Sequence, residues 1–172
     1  EWQHELGDRL IFNDDVFDWT TLPHSVAVVG TGVIGLELAQ ALHRLGVRVR
    51  LYGRGACVGP LSDPALQTLA RGIFAGELPM TLSIKDLALR RHGDGARVLS
   101  TGDDGRIHEE HFDRVLAATG RRPNIDTLGL AATTLPLDAT GARVVDRRTG
   151  QIGRTPMFMA GDALDERMLL HE

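Results

Sequence analysis

The chain has 172 residues, 42% of them hydrophobic and 24% charged, with a formal net charge of −4, which is typical of a globular protein with one core of ordinary size. The negative charge provides no basic patch for nucleic acid, and no apolar run reaches the length of a membrane-spanning helix. We therefore expect neither nucleic acid nor a membrane among its partners.

The first predicted elements are a strand, a helix and a second strand. Residues 26–29 form an apolar run between Pro23 and Gly30, which is typical of a buried parallel strand. A helix is predicted over residues 33–45, ending at Gly46. Its apolar face is expected to consist of Ile34, Leu38, Ala41, Leu42 and Leu45. Apolar residues alternate with Arg48 and Arg50 over residues 47–51, which predicts a strand whose arginine face lies in solvent.

The following residues predict a helix, a β-meander and a further buried strand. Asp63 and Pro64 are typical of a helix start, and that helix is expected to reach about Phe74. After Lys85, the turn signals GDG and GDDG separate three short runs, which indicates an antiparallel meander. A buried strand is predicted at residues 114–118, loop at 121–142, and short strands at 143–145 and 157–160. We expect an α/β fold: a Rossmann-like parallel sheet with helices and an inserted antiparallel β-meander.

A glycine-rich turn joins the first strand to the first helix. Gly30, Thr31, Gly32, Val33, Ile34 and Gly35 form a GxGxxG pattern in the strand–turn–helix context that dinucleotide binding requires. Gly30 permits the tight turn, Gly32 lets the backbone approach a pyrophosphate, and Gly35 lets helix and strand pack closely. The helix N-terminus offers free N–H groups and a partial positive charge. A tight turn without a ligand is the alternative.

The end of the second strand bears on the choice of cofactor. A carboxylate that binds the adenosine ribose of NAD is expected near Gly53, but no acidic residue occurs between Leu38 and Ser62. Arg54 follows Gly53, and a guanidinium can pair with a 2′-phosphate. The pattern favours NADP over NAD, although a solvated loop arginine would explain Arg54 equally simply.

Three ordered motifs carry a family resemblance. TTLPHSVAVVGTGVIGLELAQALHRLG, VLAATGRRPN and MFMAGDA resemble, in order and spacing, the pyridine nucleotide–disulfide oxidoreductases, above all the dihydrolipoamide dehydrogenase branch. The resemblance implies that residues 22–140 are an NAD(P)H-binding domain. Residues 1–21 would be a linker or stub of an FAD domain, and 141–172 the start of the segment that returns to it.

The resemblance also implies roles for three further residues. Glu37 is similar to a glutamate that approaches the nicotinamide end, and Gly120 to a glycine close to the same cofactor. Asp162 is similar to an aspartate that hydrogen-bonds the ribityl chain of FAD. A helix-surface carboxylate, a turn glycine and a polar loop residue are the respective alternatives.

Other parts of the family pattern lie outside this sequence. It contains no CxxxxC redox pair, no second GxGxxG and no C-terminal His–Glu pair, and Cys57 is its single cysteine. A lone cysteine fits a reducing compartment, so we expect a cytoplasmic protein. Because the chain begins with Glu1, we expect a piece of a longer, homodimeric FAD enzyme with an interface domain, and the piece alone to bind nucleotide at most. A stand-alone nucleotide-sensing module, or a flavin NADH oxidase or ferredoxin-reductase type of enzyme, remain alternatives.

Overall fold

The computed structural model describes residues 2–102, 104–120, 125, 128–136, 144–146 and 148–163. The chain divides into two compact units, Glu1–Gly120 and Arg121–Glu172. The helices of the first unit are α1 (Trp2–Leu6), α2 (Val33–Arg44) and α3 (Pro64–Glu77). Its strands are β1 (Leu10–Ile11), β2 (Ser25–Val29), β3 (Arg48–Tyr52), β4 (Met80–Thr81), β5 (Asp86–His92), β6 (Gly95–Thr101), β7 (Ile107–Phe112) and β8 (Arg114–Ala117).

The larger sheet of the first unit consists of five parallel strands in the order β1-β8-β2-β3-β4. The chain adds β3 and β4 on one side of β2 and then places β8 on the other side. The strand order therefore reverses between β2 and β8. Val29 is in register with both Tyr52 and Ala117, so β2, β3 and β8 end at the same level.

Both faces of this sheet are covered. Val26 and Val28 of β2 pack with α2 and α3 residues in one buried cluster, while Ala27 and Val29 pack against the antiparallel sheet β5-β6-β7 in another. The expected α/β fold with an inserted meander is confirmed. None of the helices in the described part of the chain is long and apolar enough to cross a membrane.

The buried face of α2 differs from the expected one. The helix buries Gly35, Leu36, Ala39 and Leu42, whereas Ala41 is exposed and Leu45 is 64% exposed. Of the five predicted residues, only Leu42 is fully buried. Gly35 packs closely against the Gly30 carbonyl, so the buried face combines the small residues Gly35 and Ala39 with Leu36 and Leu42.

The solvent-exposed face predicted for the second strand is only partly correct, because the Arg48 side chain is 54% exposed whereas the Arg50 side chain is 33% exposed. Arg50 and Tyr52 are in register with Ala27 and Val29, so they lie on the face that the meander covers. Helix α3 begins as predicted, with the Asp63 carboxylate accepting hydrogen bonds from Ala65 N (2.7 Å) and Leu66 N (3.0 Å), but it extends to Glu77.

The N-terminal residues contribute to the first unit. Leu10 and Ile11 pair with Val115 and Leu116 at the edge of the parallel sheet, and Leu6 is fully buried in the cluster under the meander. The residues expected to be a stub therefore complete this sheet, while their assignment to an FAD domain stays a prediction.

The second unit contains only short elements among its described residues. They include the 3-10 turns Leu130–Ala132 and Gly161–Ala163. At the two predicted strands the structure has isolated bridges, Val145 with Ile152 and Gln151 with Phe158. Arg143 and most of the loop predicted at 121–142 lie outside the described residues.

Candidate functional site

Three loops meet at the carboxyl edge of the parallel sheet. They begin at Gly30 after β2, at Gly53 after β3 and at Ala118 after β8, and these strands are neighbours that end in register. In open α/β sheets, ligands bind outside the carboxyl ends of the strands, where the strand order reverses. The candidate site therefore lies between the loops that follow β2 and β8.

Two glycines make the turn after β2 possible. Gly30 has φ +121°, and a Cβ there would lie 2.1 Å from the Ala118 carbonyl oxygen. A Cβ on Gly35 would lie 2.0 Å from the Gly30 carbonyl oxygen. The Gly30 N–H donates a hydrogen bond to the Tyr52 carbonyl (2.8 Å). These contacts pack the turn, α2 and the β8 loop together, as expected for the first and third glycines of the pattern.

Gly32 has different surroundings. It is exposed, and a Cβ there would meet no atom within 4 Å. Gly32 precedes the first residue of α2, and its carbonyl accepts from Leu36 N (3.0 Å). Because the first N–H groups of a helix lack acceptors within it and no side chain caps α2, the N–H groups around Val33 and Ile34 remain available to an anion.

Thr31 connects the glycine turn to the loop between β3 and α3. Its hydroxyl donates to the Cys57 carbonyl (2.8 Å), and its own carbonyl accepts from Gly59 N (2.7 Å). A Cβ on Gly53 would lie only 2.6 Å from the Thr31 methyl group. Sequence reasoning did not identify this loop as a partner, because contacts across 26 residues leave no local pattern.

Gly53 and Arg54 form the end of the site next to β3. Gly53 is buried, and its N–H donates to the Thr81 carbonyl (2.9 Å). Because Thr31 and Leu82 occupy the space around a Cβ at this position, an acidic side chain does not fit here without movement of its neighbours. Arg54 is exposed, and the described residues offer it no hydrogen-bond or ion-pair partner.

The structure places the remaining predicted residues in three locations. Glu37 is exposed on the second turn of α2. Gly120 has φ +125° in the exposed loop after β8. Asp162 lies in the 3-10 turn Gly161–Ala163 of the second unit, and its predicted side-chain contact falls outside the described residues.

A polar cluster lies between the two sheets, below the glycine turn. Glu110 Oε1 lies 2.6 Å from Arg50 Nε and 3.1 Å from the Tyr52 hydroxyl. The arginine contact is an ion pair without hydrogen-bond geometry, since Arg50 Nε has no hydrogen-bond partner. Burial raises the pKa of Tyr52 above its ordinary value, and the Glu110 carboxylate raises that pKa further. Arg48 stacks 4.5 Å from the Phe112 ring centre.

The HEEH residues belong to this region. His108, Glu109, Glu110 and His111 lie within strand β7. Their alternation directs Glu110 toward the arginines of β3. Among the described residues, no group of three His, Cys, Asp or Glu side chains is arranged to hold a metal ion.

One cavity lies away from the glycine turn. It has a volume of about 470 Å³ and is lined by residues that include Thr20, Thr21, Pro23 and Asp113. These residues lie beside the beginnings of β2 and β8, at the opposite edge of the sheet. We assign the dinucleotide site to the carboxyl edge instead, because only that edge combines the glycine turn with a helix N-terminus.

Comparisons with known proteins agree with this geometry. The family profile described as pyridine nucleotide-disulphide oxidoreductase matches residues 4–172. A mercuric reductase of Acidithiobacillus ferrooxidans is 34% identical over 152 residues, which cover 88% of this chain and 26% of that protein. A dihydrolipoyl dehydrogenase of Thermus scotoductus is 31% identical over 170 residues, which cover 94% of this chain and 37% of that protein.

A solved structure gives the same result. LpdA from Mycobacterium tuberculosis is 29% identical and has a TM-score of 0.72 over 91% of this chain and 33% of its own. The chain thus spans between 26% and 37% of the length of these three relatives. The resemblance inferred from the three sequence motifs is confirmed: this chain belongs to the pyridine nucleotide-disulphide oxidoreductase family.

Proposed function

We propose that residues 22–140 are the nicotinamide dinucleotide-binding domain of an FAD-dependent disulfide oxidoreductase. The observation that carries the proposal is the space at Gly32, where a Cβ would meet nothing within 4 Å, directly before the first helical residue. A pyrophosphate can approach the backbone at such a position and accept hydrogen bonds from the helix N-terminus.

Different residues of the chain bind different parts of the dinucleotide. The N–H groups around Gly32, Val33 and Ile34 bind the pyrophosphate. The nicotinamide end extends past β8 toward Gly120, with Glu37 on α2 near it. The adenosine end extends past β3, over Gly53 and Arg54.

NADP is the preferred cofactor in this proposal. Support comes from Gly53, whose packing against Thr31 leaves no room for an acidic side chain, and from Arg54, which is exposed and has no partner among the described residues. A guanidinium in that position can bind a 2′-phosphate through charged hydrogen bonds.

In the longer protein, the nicotinamide supplies a hydride for exchange with FAD. This chain's residues perform the positioning: they hold the pyrophosphate and direct the nicotinamide end toward the β8 loop. Residues 1–21 lead from the FAD domain into the parallel sheet, residues 141–172 start the segment that returns to that domain, and Asp162 contacts the flavin there. Cys57 is the chain's single cysteine, so the thiol pair that receives electrons lies on other residues of a homodimeric enzyme.

Calorimetric titration of the 172-residue chain with NADPH and NADH tests the proposal. We expect saturable binding of both, about tenfold tighter for NADPH, which corresponds to about 1.4 kcal/mol. Absence of binding at millimolar NADPH would contradict the dinucleotide site. Equal or tighter binding of NADH would contradict only the NADP preference. A longer protein that binds NADPH but no FAD would favour the sensing module.

A further inference from the structure

We infer that Gln67 is a positioning residue for the dinucleotide site, because its carboxamide holds the loop that supports Thr31. This inference rests on the proposed function, since it concerns the affinity of that site. Gln67 lies on α3, outside the glycine turn, and nothing in the family pattern described above includes it.

The Gln67 side chain is buried and fully engaged with one loop. Only 7% of the residue is exposed. Its Oε1 accepts from Val58 N (3.0 Å), and its Nε2 donates to the carbonyls of Val58 (3.0 Å) and Leu61 (2.8 Å). A buried amide without such partners would be costly. The loop around Val58 has no secondary structure of its own, so these three hydrogen bonds fix the position of its backbone.

The loop transmits this restraint to the glycine turn. Cys57 and Gly59, on either side of Val58, are the residues that bond to Thr31. The Val58 side chain is 1% exposed and packs in the helix-side cluster, so it anchors the same point a second time. Gln67 thus determines where the two partners of Thr31 lie.

Thr31 connects the loop to both parts of the proposed binding surface, the pyrophosphate part and the adenosine part. It lies between Gly30 and Gly32 in the turn that receives the pyrophosphate, and its methyl group packs against Gly53, next to Arg54. Loss of the Gln67 bonds leaves Val58 N–H and two carbonyls without partners. The loop then moves to reach water, and Thr31 loses its support.

Two substitutions and one matched control test this role. Gln67→Leu removes all three bonds at similar side-chain volume, while Gln67→Glu keeps an acceptor for Val58 N and loses both donors at neutral pH. Gln40→Leu is the control. Gln40 lies on α2 and donates a hydrogen bond to Glu77 Oε2 (2.7 Å), and this bond does not involve the Val58 loop. Each chain is titrated with NADPH at a temperature well below its unfolding midpoint.

We expect Gln67→Leu to weaken NADPH binding by about tenfold and Gln67→Glu by about threefold, in line with the loss of hydrogen bonds that position a binding group. Gln40→Leu is expected to bind NADPH like the unchanged chain. Amide hydrogen exchange provides a second readout: NADPH slows exchange at Gly59 in the unchanged chain and fails to do so in the Gln67→Leu chain.

The outcomes separate the inference from the proposed function. If the unchanged chain binds no NADPH, the proposed function fails. If the unchanged chain and Gln40→Leu bind, and a folded Gln67→Leu binds equally well, the role of Gln67 is overturned. Should Gln67→Leu not fold, equal NADPH affinity and equal Gly59 protection in Gln67→Glu would overturn it instead.

Discussion

Gly30 and Ala118 approach so closely that a Cβ on Gly30 would lie 2.1 Å from the Ala118 carbonyl oxygen. This contact joins the loop after β2 to the loop after β8, on the two sides of the point where the strand order reverses. Gly32, two residues later, has no atom within 4 Å of a Cβ. The two glycines therefore have separable roles, one in the fold and the other in binding.

Alanine substitutions at these glycines test that separation. Gly30→Ala should lower the free energy of unfolding by about 2–4 kcal/mol, because φ +121° and the Ala118 carbonyl both oppose a side chain. Gly32→Ala should cost at most about 1 kcal/mol as a helix N-cap, yet weaken NADPH binding by about tenfold or more. Denaturant unfolding and calorimetry measure both; full NADPH affinity in Gly32→Ala would contradict the assignment.

Arg54→Glu tests the cofactor preference. The substitution replaces a group that pairs with a 2′-phosphate by one that repels it, so the NADPH affinity should fall by about tenfold or more while the NADH affinity changes little. Arg106→Glu makes the same charge change in the hairpin between β6 and β7, where the Arg106 guanidinium has an exposed ion pair with Asp104 (3.7 Å). If both variants lose NADPH affinity equally, Arg54 has no specific role and the net charge explains the effect.

The Glu110 carboxylate should stabilise the packing of the meander on the parallel sheet. Glu110→Gln leaves Arg50 and Arg48 without a counter-charge where the Arg50 and Glu110 side chains are about one-third exposed, and we expect a loss of roughly 1–2 kcal/mol in unfolding free energy. Glu109→Gln is the neighbouring control. Its longer contact with Arg97 (3.7 Å) is more exposed, so the loss should stay below about 0.5 kcal/mol. Equal losses in the two variants would show that the Arg50–Glu110 ion pair contributes no more to the unfolding free energy than the more exposed pair does.

Tyr52 should remain protonated in the folded chain at alkaline pH. Its pKa is raised in the folded state by burial and by Glu110, whereas in the unfolded chain it is about 10. The unfolded state therefore releases the proton first. The stability that the protonated Tyr52 contributes to the folded chain is fully present below a pH of about 10 and is lost as the pH rises above that value. Tyr52 is the only tyrosine, so phenolate absorbance reports it alone.

The measurement combines that titration with Tyr52→Phe. Phenolate absorbance and loss of helical circular dichroism should rise together in the unchanged chain. Tyr52→Phe should show a smaller decrease in stability over the same alkaline range. A phenolate that forms near pH of about 10 in a folded chain would show that the Tyr52 hydroxyl is not buried against Glu110.

The glycine turn and the meander could be predicted from the sequence because local residues specify them. Gly30, Gly32 and Gly35 stand at fixed spacing between an apolar run and a helical pattern, and Gly-Asp turns separate the meander strands. Asp63 and Pro64 likewise identify the start of α3 at the right residue.

Long-range packing explains what sequence reasoning missed. Arg50 looked solvent-exposed because its partner Glu110 is 60 residues away. The face of α2 depends on a glycine–carbonyl contact, which hydrophobic periodicity does not register. The sequence offers only one weak signal for the role of Gln67, which is a polar residue between the apolar positions Leu66 and Leu69. Its three hydrogen bonds to the preceding loop form only in the folded backbone.

The central claim is that a nicotinamide dinucleotide binds at the carboxyl edge of the parallel sheet. Amide chemical-shift mapping of the chain with NADPH tests this most directly. The account predicts that the largest shifts occur at Gly30, Gly32, Gly53 and Gly120, with little change around Thr20 at the opposite edge. Shifts concentrated at the cavity beside Thr20, or no shifts at millimolar NADPH, would contradict it.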